Sequence, residues 1–415
     1  MSELADLWAA QAELARDPED LGAWHRVATG LTEAGDKKAG ALALGELGHA
    51  AGNAGFLPLA LLAARDLTAL DAAASKKLVA DLAALYSRGA KRLDAHARPH
   101  PPGAPGQADP GALPKTEAVL EASRKAAVAA AAHARRAAAV GDLPVPAYPL
   151  FAALDANTFA DFAQLLQPRR LHAGDQVIVQ GQAGQSIFII ARGAVRIHRG
   201  ETTLATLRGG QLFGEMALLT AQPRSASATC ETDTVVFEVA QKGLEALATR
   251  EPAVATVLAE YARRRLLENL LATSPLFRDL PAGERTQVMA RFRTRTSEAG
   301  TVLLAEGKEG DGLHVIVTGG AVVEKVEGKD KLRLAELGPG DVLGEISLVR
   351  ARPATATVRT TGKTVTLMLP RAEFDEVAKS HPALVGAAFA LATEREKSTA
   401  AALGAAATPA DEFLV

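Results

Sequence analysis

The chain of 415 residues holds one cysteine, Cys230, so no internal disulfide can form and a disulfide-stapled scaffold is excluded. A lone thiol suits a reducing compartment, and a cytoplasmic protein is expected. Aromatic residues make up only 4%, which leaves the cores to aliphatic packing. Neither sign of charge is in excess. Lys and Arg number 46 against 48 Asp and Glu, a net charge of −2, so no global basic field exists to hold nucleic acid or an anionic membrane. No run approaches the ~20 strongly apolar residues of a spanning helix. The opening Met1-Ser2-Glu3-Leu4-Ala5-Asp6 carries acids where a secretory signal needs a basic start. Phosphate loops, nucleophile elbows and kinase signatures are missing. His172, His198 and His314 stand alone, and His96 and His100 have no further ligands at suitable spacing. No metal site, no catalytic residue and no enzyme activity are expected.

What is present divides by texture. Residues 1–95 read as an all-α module. Trp24, Val27, Ala28 and Leu31 fall on one helical face, Gly35 ends that helix, and Leu42, Leu44 and Leu47 suggest an antiparallel partner. The spacing resembles a tetratricopeptide repeat, although a second copy would put Pro58 where the first has Trp24; a small irregular helical domain is the plainer alternative. Residues 96–115 form a Pro/Gly-rich linker, and 116–147 an Ala-rich connecting helix and turn. Modules of this kind bind partners more often than they perform chemistry.

Internal repetition is the strongest signal. Pro149-Leu150-Phe151 recurs 126 positions on as Pro275-Leu276-Phe277, and Gly174, Gly181, Gly184 and Gly193 recur with the same offset as Gly300, Gly307, Gly310 and Gly319. Gly210, Gly214 and Glu215 recur 130 positions on as Gly340, Gly344 and Glu345, so the second copy holds four extra residues, as a lengthened hairpin would. Short β-rich runs such as Ser186-Ile187-Phe188-Ile189-Ile190 and Leu313-His314-Val315-Ile316-Val317 are separated by glycine turns, the grammar of a β-roll or jelly roll. Helices bracket each roll, Phe159 to Leu166 before the first and Ala253 to Ala272 between the two. The predicted class is therefore multidomain α+β: an all-α N-terminal module, a roll over 148–272 with its connector helix, a roll over 273–395, and a tail over 396–415.

Within the first copy lies Phe213-Gly214-Glu215-Met216-Ala217-Leu218-Leu219, followed by Pro223-Arg224-Ser225-Ala226. Gly214 lets backbone approach a ligand, and N–H groups at the start of a helical turn over 215–219 favour an anion. Arg224 offers a planar, permanently charged fork to a phosphate, and Glu215 is an acceptor for a ribose hydroxyl. A surface Glu215–Arg224 ion pair is the plainer alternative, but it needs no glycine and no helix turn.

This stretch resembles the phosphate-binding cassette of the cyclic-nucleotide-binding domain family, F-G-E-hydrophobic-A-L-L followed by P-R-S/A-A. The resemblance implies Glu215 on the ribose 2′-hydroxyl, Arg224 on the cyclic phosphate, N–H groups near Met216 and Ala217 completing the site, and Ser225 and Ala226 lining it. Cyclic AMP is favoured as ligand over cyclic GMP on family grounds. The second copy keeps Gly344, Glu345, Ile346 and Ser347, but nine residues after Glu345 stands Ala354 in place of arginine; Arg350, Arg352 and Arg359 are near in sequence. The second site is therefore expected to be weak, altered in ligand or silent.

The domain order resembles the regulatory subunit of cyclic-AMP-dependent protein kinase, which carries an R-R-x-[S/A]-hydrophobic inhibitor segment ahead of its first domain. Arg135-Arg136-Ala137-Ala138-Ala139-Val140 matches that pattern only in part, and an Ala-rich helix with a solvated arginine pair explains it as well. Arg263-Arg264-Arg265 reads as a solvated helix face or, with Tyr261, as a cap over the nucleotide. The expected function is a non-catalytic cyclic-nucleotide sensor acting on a protein partner through the N-terminal module or C-terminal tail. DNA is not an expected partner, since no recognition helix follows the second copy. The alternative is a ligand-independent interaction scaffold; a kinase inhibitor subunit comes last.

Overall fold

Three aspartates start the N-terminal helices. In this computed structural model, which describes residues 2–94, 97, 111–138, 143–215, 223–260, 274, 276–277, 282–327 and 330–406, α1 spans Ser2–Arg16, α2 Leu21–Glu33, α3 Lys37–Asn53, α4 Leu57–Thr68 and α5 Ala72–Tyr86. The carboxylates of Asp20, Asp36 and Asp71 accept the N–H of Ala23, Ala39 and Ala74 at 2.8, 3.1 and 2.9 Å, capping α2, α3 and α5. Trp24, Val27, Ala28 and Leu31 are fully buried together with Leu44 and Leu47. Leu42 is 63% exposed. Two residues apart on a helix means about 200° of rotation, so Leu42 and Leu44 could not share a face. Pro58 occupies the first turn of α4, where its missing N–H costs nothing. The Ala-rich helix, α6 (Thr116–Ala138), packs back on α1, α2 and α3 and adds Val119, Ala126, Ala127 and Ala130 to their core.

The chain divides into two compact units, Met1–Tyr261 and Ala262–Val415. The first holds the helical module and the first roll together, and α4 explains why. Its residues from Leu57 to Ala64 are all buried, because Ala63 and Leu67 join the helical core while Leu59, Leu61 and Leu62 join the core of the roll. A helix apolar all round needs cover on every side. Phe56, fully buried, lies so close to Gly209 that a Cβ there would sit 2.5 Å from the ring. Tyr148 donates to Gly55 O at 3.0 Å, and Arg88 pairs with Glu251 at 2.9 Å.

After the short parallel pair β1 (Leu93–Asp94) and β2 (Val145–Pro146) come α7 (Pro149–Ala152) and α8 (Ala156–Leu165). The first roll then runs β3 (Gln167–Leu171), β4 (Gln176–Ile178), β5 (Ser186–Arg192), β6 (Ala194–Arg199), β7 (Thr202–Arg208), β8 (Leu212–Phe213), β9 (Ser227–Cys230) and β10 (Thr234–Ala240). These form two antiparallel four-stranded sheets, β3-β10-β5-β8 and β4-β9-β6-β7. Strand β5 reads as an unbroken apolar run because both faces are covered. Ile187, Ile189 and Ala191 face the helices, while Phe188 and Ile190 face the interior of the roll with Cys230. Helix α9 (Gln241–Arg250) and the helical stretch 253–260 follow; Tyr261 and the Arg263–Arg265 run lie outside the described residues.

The second unit repeats the plan. Helix α10 (Ala282–Met289) precedes β11 (Arg293–Ser297), β12 (Val302–Leu304), β13 (Gly312–Thr318), β14 (Ala321–Glu327), β15 (Asp330–Leu337) and β16 (Val342–Leu343). Helix α11 (Glu345–Val349), β17 (Thr357–Thr360), β18 (Thr364–Pro370), α12 (Arg371–Ser380) and α13 (Pro382–Ala406) complete it. Its sheets are ordered β11-β18-β13-β16 and β12-β17-β14-β15. Val195 pairs with Leu207 and Ala321 with Leu337, so the four extra residues lie within the second hairpin. Among the described residues no helix is long and apolar enough to cross a membrane.

Candidate functional site

Strand β8 delivers the chain to Gly214, whose φ of 86° lies where a side chain is strained. Glu215 follows, 4% exposed. Met216, Ala217 and the rest of the expected helical turn lie outside the described residues. The chain returns at Pro223, and Arg224 is held by a short ladder: its N–H donates to Gln182 O at 2.8 Å and its carbonyl accepts from Gly181 at 2.9 Å.

The Arg224 side chain is 9% exposed and turns inward. Nη1 donates to Gly214 O at 2.5 Å and Nη2 to Ser186 O at 2.9 Å, and the guanidinium lies 5.9 Å from the Phe188 ring centroid. Gly184 makes room for it, since a Cβ there would overlap the guanidinium. Burial lowers the pKa of Arg224, while the carboxylates of Glu215 and Glu238 act in the opposite direction. Two of its five donors are spent on carbonyls, which leaves three for a ligand. Ser225 and Ala226 are half-buried beside it, and Ser225 O accepts from Arg199 at 3.3 Å.

The second copy repeats the backbone and changes the chemistry. Gly344 has φ 91° and opens α11, in which Glu345 and Ser347 are buried and Ile346 is half-buried. Ala354 N donates to Lys308 O at 2.8 Å and Ala354 O accepts from Gly307 at 2.9 Å, the same ladder that holds Arg224. Ala354 thus stands in Arg224's place. Glu345 is 2% exposed, and Arg395 of α13 donates to it at 3.0 Å and also to Val342 O. Burial raises the Glu345 carboxyl pKa, and Arg395 partly offsets this. Arg350 and Arg352 both pair with Glu396 of α13, the first at 2.9 Å. Arg359 donates to Gly300 O at 2.8 Å, while Arg371 of α12 reaches Gly310 O, Ser347 O and Ser347 Oγ at 3.3–3.4 Å. A cavity of about 140 Å³ remains between α11, the strands and α13.

The other singled-out residues lie elsewhere. His198 bonds Thr229 Oγ1 and His314 bonds Asp311, each at 2.8–3.0 Å, and His172 is exposed beside Asp233. Arg135 and Arg136 end α6 as helix, with Arg135 on Glu46 at 2.6 Å, so this pair is not in an extended strand. Sequence reasoning missed Arg371, Arg395 and Glu396. Arg395 lines the pocket, Arg371 bonds its Ser347 and Glu396 holds Arg350 and Arg352, all from helices whose sequence carries no motif.

Two rolls of one topology, each with a positive-φ glycine followed by a buried glutamate, match what comparison finds. The model of the cyclic nucleotide-binding domain family matches residues 168–251 and 294–381. The chain contains two cyclic nucleotide-binding domains in tandem. A cAMP-dependent protein kinase type II regulatory subunit of Drosophila melanogaster is 25% identical over 52% of this chain and 56% of its own length, so the chain spans about half of that relative. Among solved structures, the regulatory domain of Toxoplasma gondii PKA with cAMP is 23% identical, covers 60% of this chain and 92% of its own, and has a TM-score of 0.29. The Thermus thermophilus catabolite activator protein is 33% identical over 34% of this chain and 68% of its own, with a TM-score of 0.28.

Proposed function

We propose that this protein is a cyclic-nucleotide sensor whose working pocket is in the first domain, with Arg224 on the cyclic phosphate and Glu215 on a ribose hydroxyl. Backbone N–H groups near Met216 and Ala217 complete the phosphate site, and cyclic AMP is the preferred ligand over cyclic GMP. One observation carries the reading: a buried guanidinium, anchored by two carbonyls and fitted against Gly184, keeps three donors for an anion. The output is a changed contact with a protein partner, made through the helical module that shares a core with this domain, or through the C-terminal segment. The setting is the cytoplasm, where a lone reduced thiol belongs. Such coupling requires that the nucleotide favour one of two states by its differential affinity.

Isothermal calorimetry on the full chain tests this. Cyclic AMP should bind more tightly than cyclic GMP, and Arg224→Ala should weaken binding about ten- to a hundredfold, the worth of one charge-assisted bond of ~1.5–3 kcal/mol. A melting temperature unmoved by either nucleotide supports the scaffold alternative and refutes the sensor.

A further inference from the structure

The second pocket is not a blank. Its cavity of about 140 Å³ is walled by aliphatic side chains, Leu304, Val323, Leu334 and Val358, with Glu345 as its buried acid. That is close to the ~150 Å³ of an engineered apolar cavity that admits benzene, and because the pocket is open on one side, a ring can sit against these walls while the rest of a larger ligand extends outward. Where a phosphate would need its cation there is the methyl group of Ala354. The arginines around it are committed elsewhere: Arg350 and Arg352 to Glu396, Arg359 to Gly300 O, and Arg371 to Gly310 O and Ser347. Arg395 is the guanidinium that lines the cavity, and it is bonded to Glu345 itself. In the first pocket the guanidinium is anchored by carbonyls. In the second, acid and cation are bonded to one another. A phosphodiester drawn onto Arg395 would put a second anion against the buried Glu345, the arrangement like charges resist.

A carboxylate has about four lone-pair sites, and Arg395 takes one. We infer that the second pocket binds an uncharged ring compound bearing hydrogen-bond donors, held by Glu345 and the aliphatic walls, and discriminates against the phosphorylated form of the same compound. Ser398 and Thr399 of α13 also line the cavity, so the ligand is covered by the helix that carries Arg395.

Adenosine and cyclic AMP are the probes, since they share base and sugar and differ by the phosphate. In the full chain carrying Arg224→Ala, calorimetry should show one equivalent of adenosine bound and cyclic AMP at least about tenfold weaker. Cyclic AMP binding as tightly as adenosine there, or no adenosine binding, overturns the inference. Adding Ala354→Arg to that background should reverse the order of the two probes, and an unchanged order counts against it. The unmutated chain guards against a folding failure of the variants. Saturated with cyclic AMP, it should still take up one equivalent of adenosine; two equivalents of cyclic AMP with no room for adenosine refutes the inference. Absence of any cyclic AMP binding by the unmutated chain would defeat the reading of the first pocket and leave this one standing.

Discussion

Replacing Gly184 by alanine should abolish most nucleotide binding while sparing the fold. A Cβ at this position overlaps Nε and Cζ of Arg224 and comes to 2.8 Å from its Cδ. The obstructing atoms belong to the far end of a flexible side chain, so the guanidinium moves and the backbone stays. Moving it breaks the bonds to Gly214 O at 2.5 Å and Ser186 O at 2.9 Å and withdraws the remaining donors from the phosphate. One lost charge-assisted bond of ~1.5–3 kcal/mol lowers affinity about ten- to a hundredfold, and two would exceed that. The repeat supplies its own control. A Cβ at Gly310, the matching glycine of the second domain, meets the tip of Leu304 at a tight 3.3 Å and Ser347 at 3.4–3.5 Å, so only a leucine methyl must give by a few tenths of an ångström, because no arginine lies there. Displacement of a fluorescent cyclic nucleotide, with a thermal melt of each variant, reads both effects. Gly184→Ala should lose affinity at a melting temperature within a few degrees of the parent, and Gly310→Ala should lose none at the first site. Wild-type affinity in Gly184→Ala, or an equal loss in both variants, refutes the placement of Arg224 as the phosphate cation.

Two further outcomes are expected. His25 is 2% exposed, with Nε2 on Asp66 at 2.8 Å, Asp66 held in turn by Arg170, and Arg192 near; burial above all, and then the two arginines, lower its pKa against the pull of Asp66. The unfolded chain therefore takes up a proton that the fold resists. The stability tied to neutral His25 is complete above pH ~6.5 and is lost as pH falls below it, so His25→Gln should flatten the decline in melting temperature between pH 7.5 and 5.5. Phe56→Ala should cost about 3–5 kcal/mol, and because Phe56 packs on Gly209 of the roll, calorimetric unfolding of the helices and of the first domain should shift together. Separate transitions would show that α4 does not couple them.

Much of this was legible in the chain. Five of the six repeated glycine pairs, 174/300, 181/307, 193/319, 210/340 and 214/344, have positive φ. A backbone need of that kind leaves a mark at a single position. The sixth, Gly184, answers to a side chain forty residues away, and its reason appears only when Arg224 is in place. The strip from Leu57 to Ala64 is apolar on every side, but nothing local says that its second layer is a β-sheet. The ties of Arg371 to Ser347 and of Arg395 to Glu345 were invisible for the same reason: each joins residues 24 to 50 positions apart by tertiary geometry alone.

The two domains differ in a way that fits the proposed assignment of the working pocket to the first. Both keep the same ladder at this position, through Arg224 in one and Ala354 in the other, so the arginine side chain is not what holds the roll together. Burying a guanidinium is costly, and the lowered pKa of Arg224 registers that cost, which two carbonyl bonds and the charges of Glu215 and Glu238 offset only in part. A fold built only to keep its shape has the cheaper solution that the second domain adopts, a methyl group with aliphatic neighbours. The first domain instead retains the buried cation and a glycine shaped to admit it, and on the proposed function an anionic ligand would supply the missing compensation.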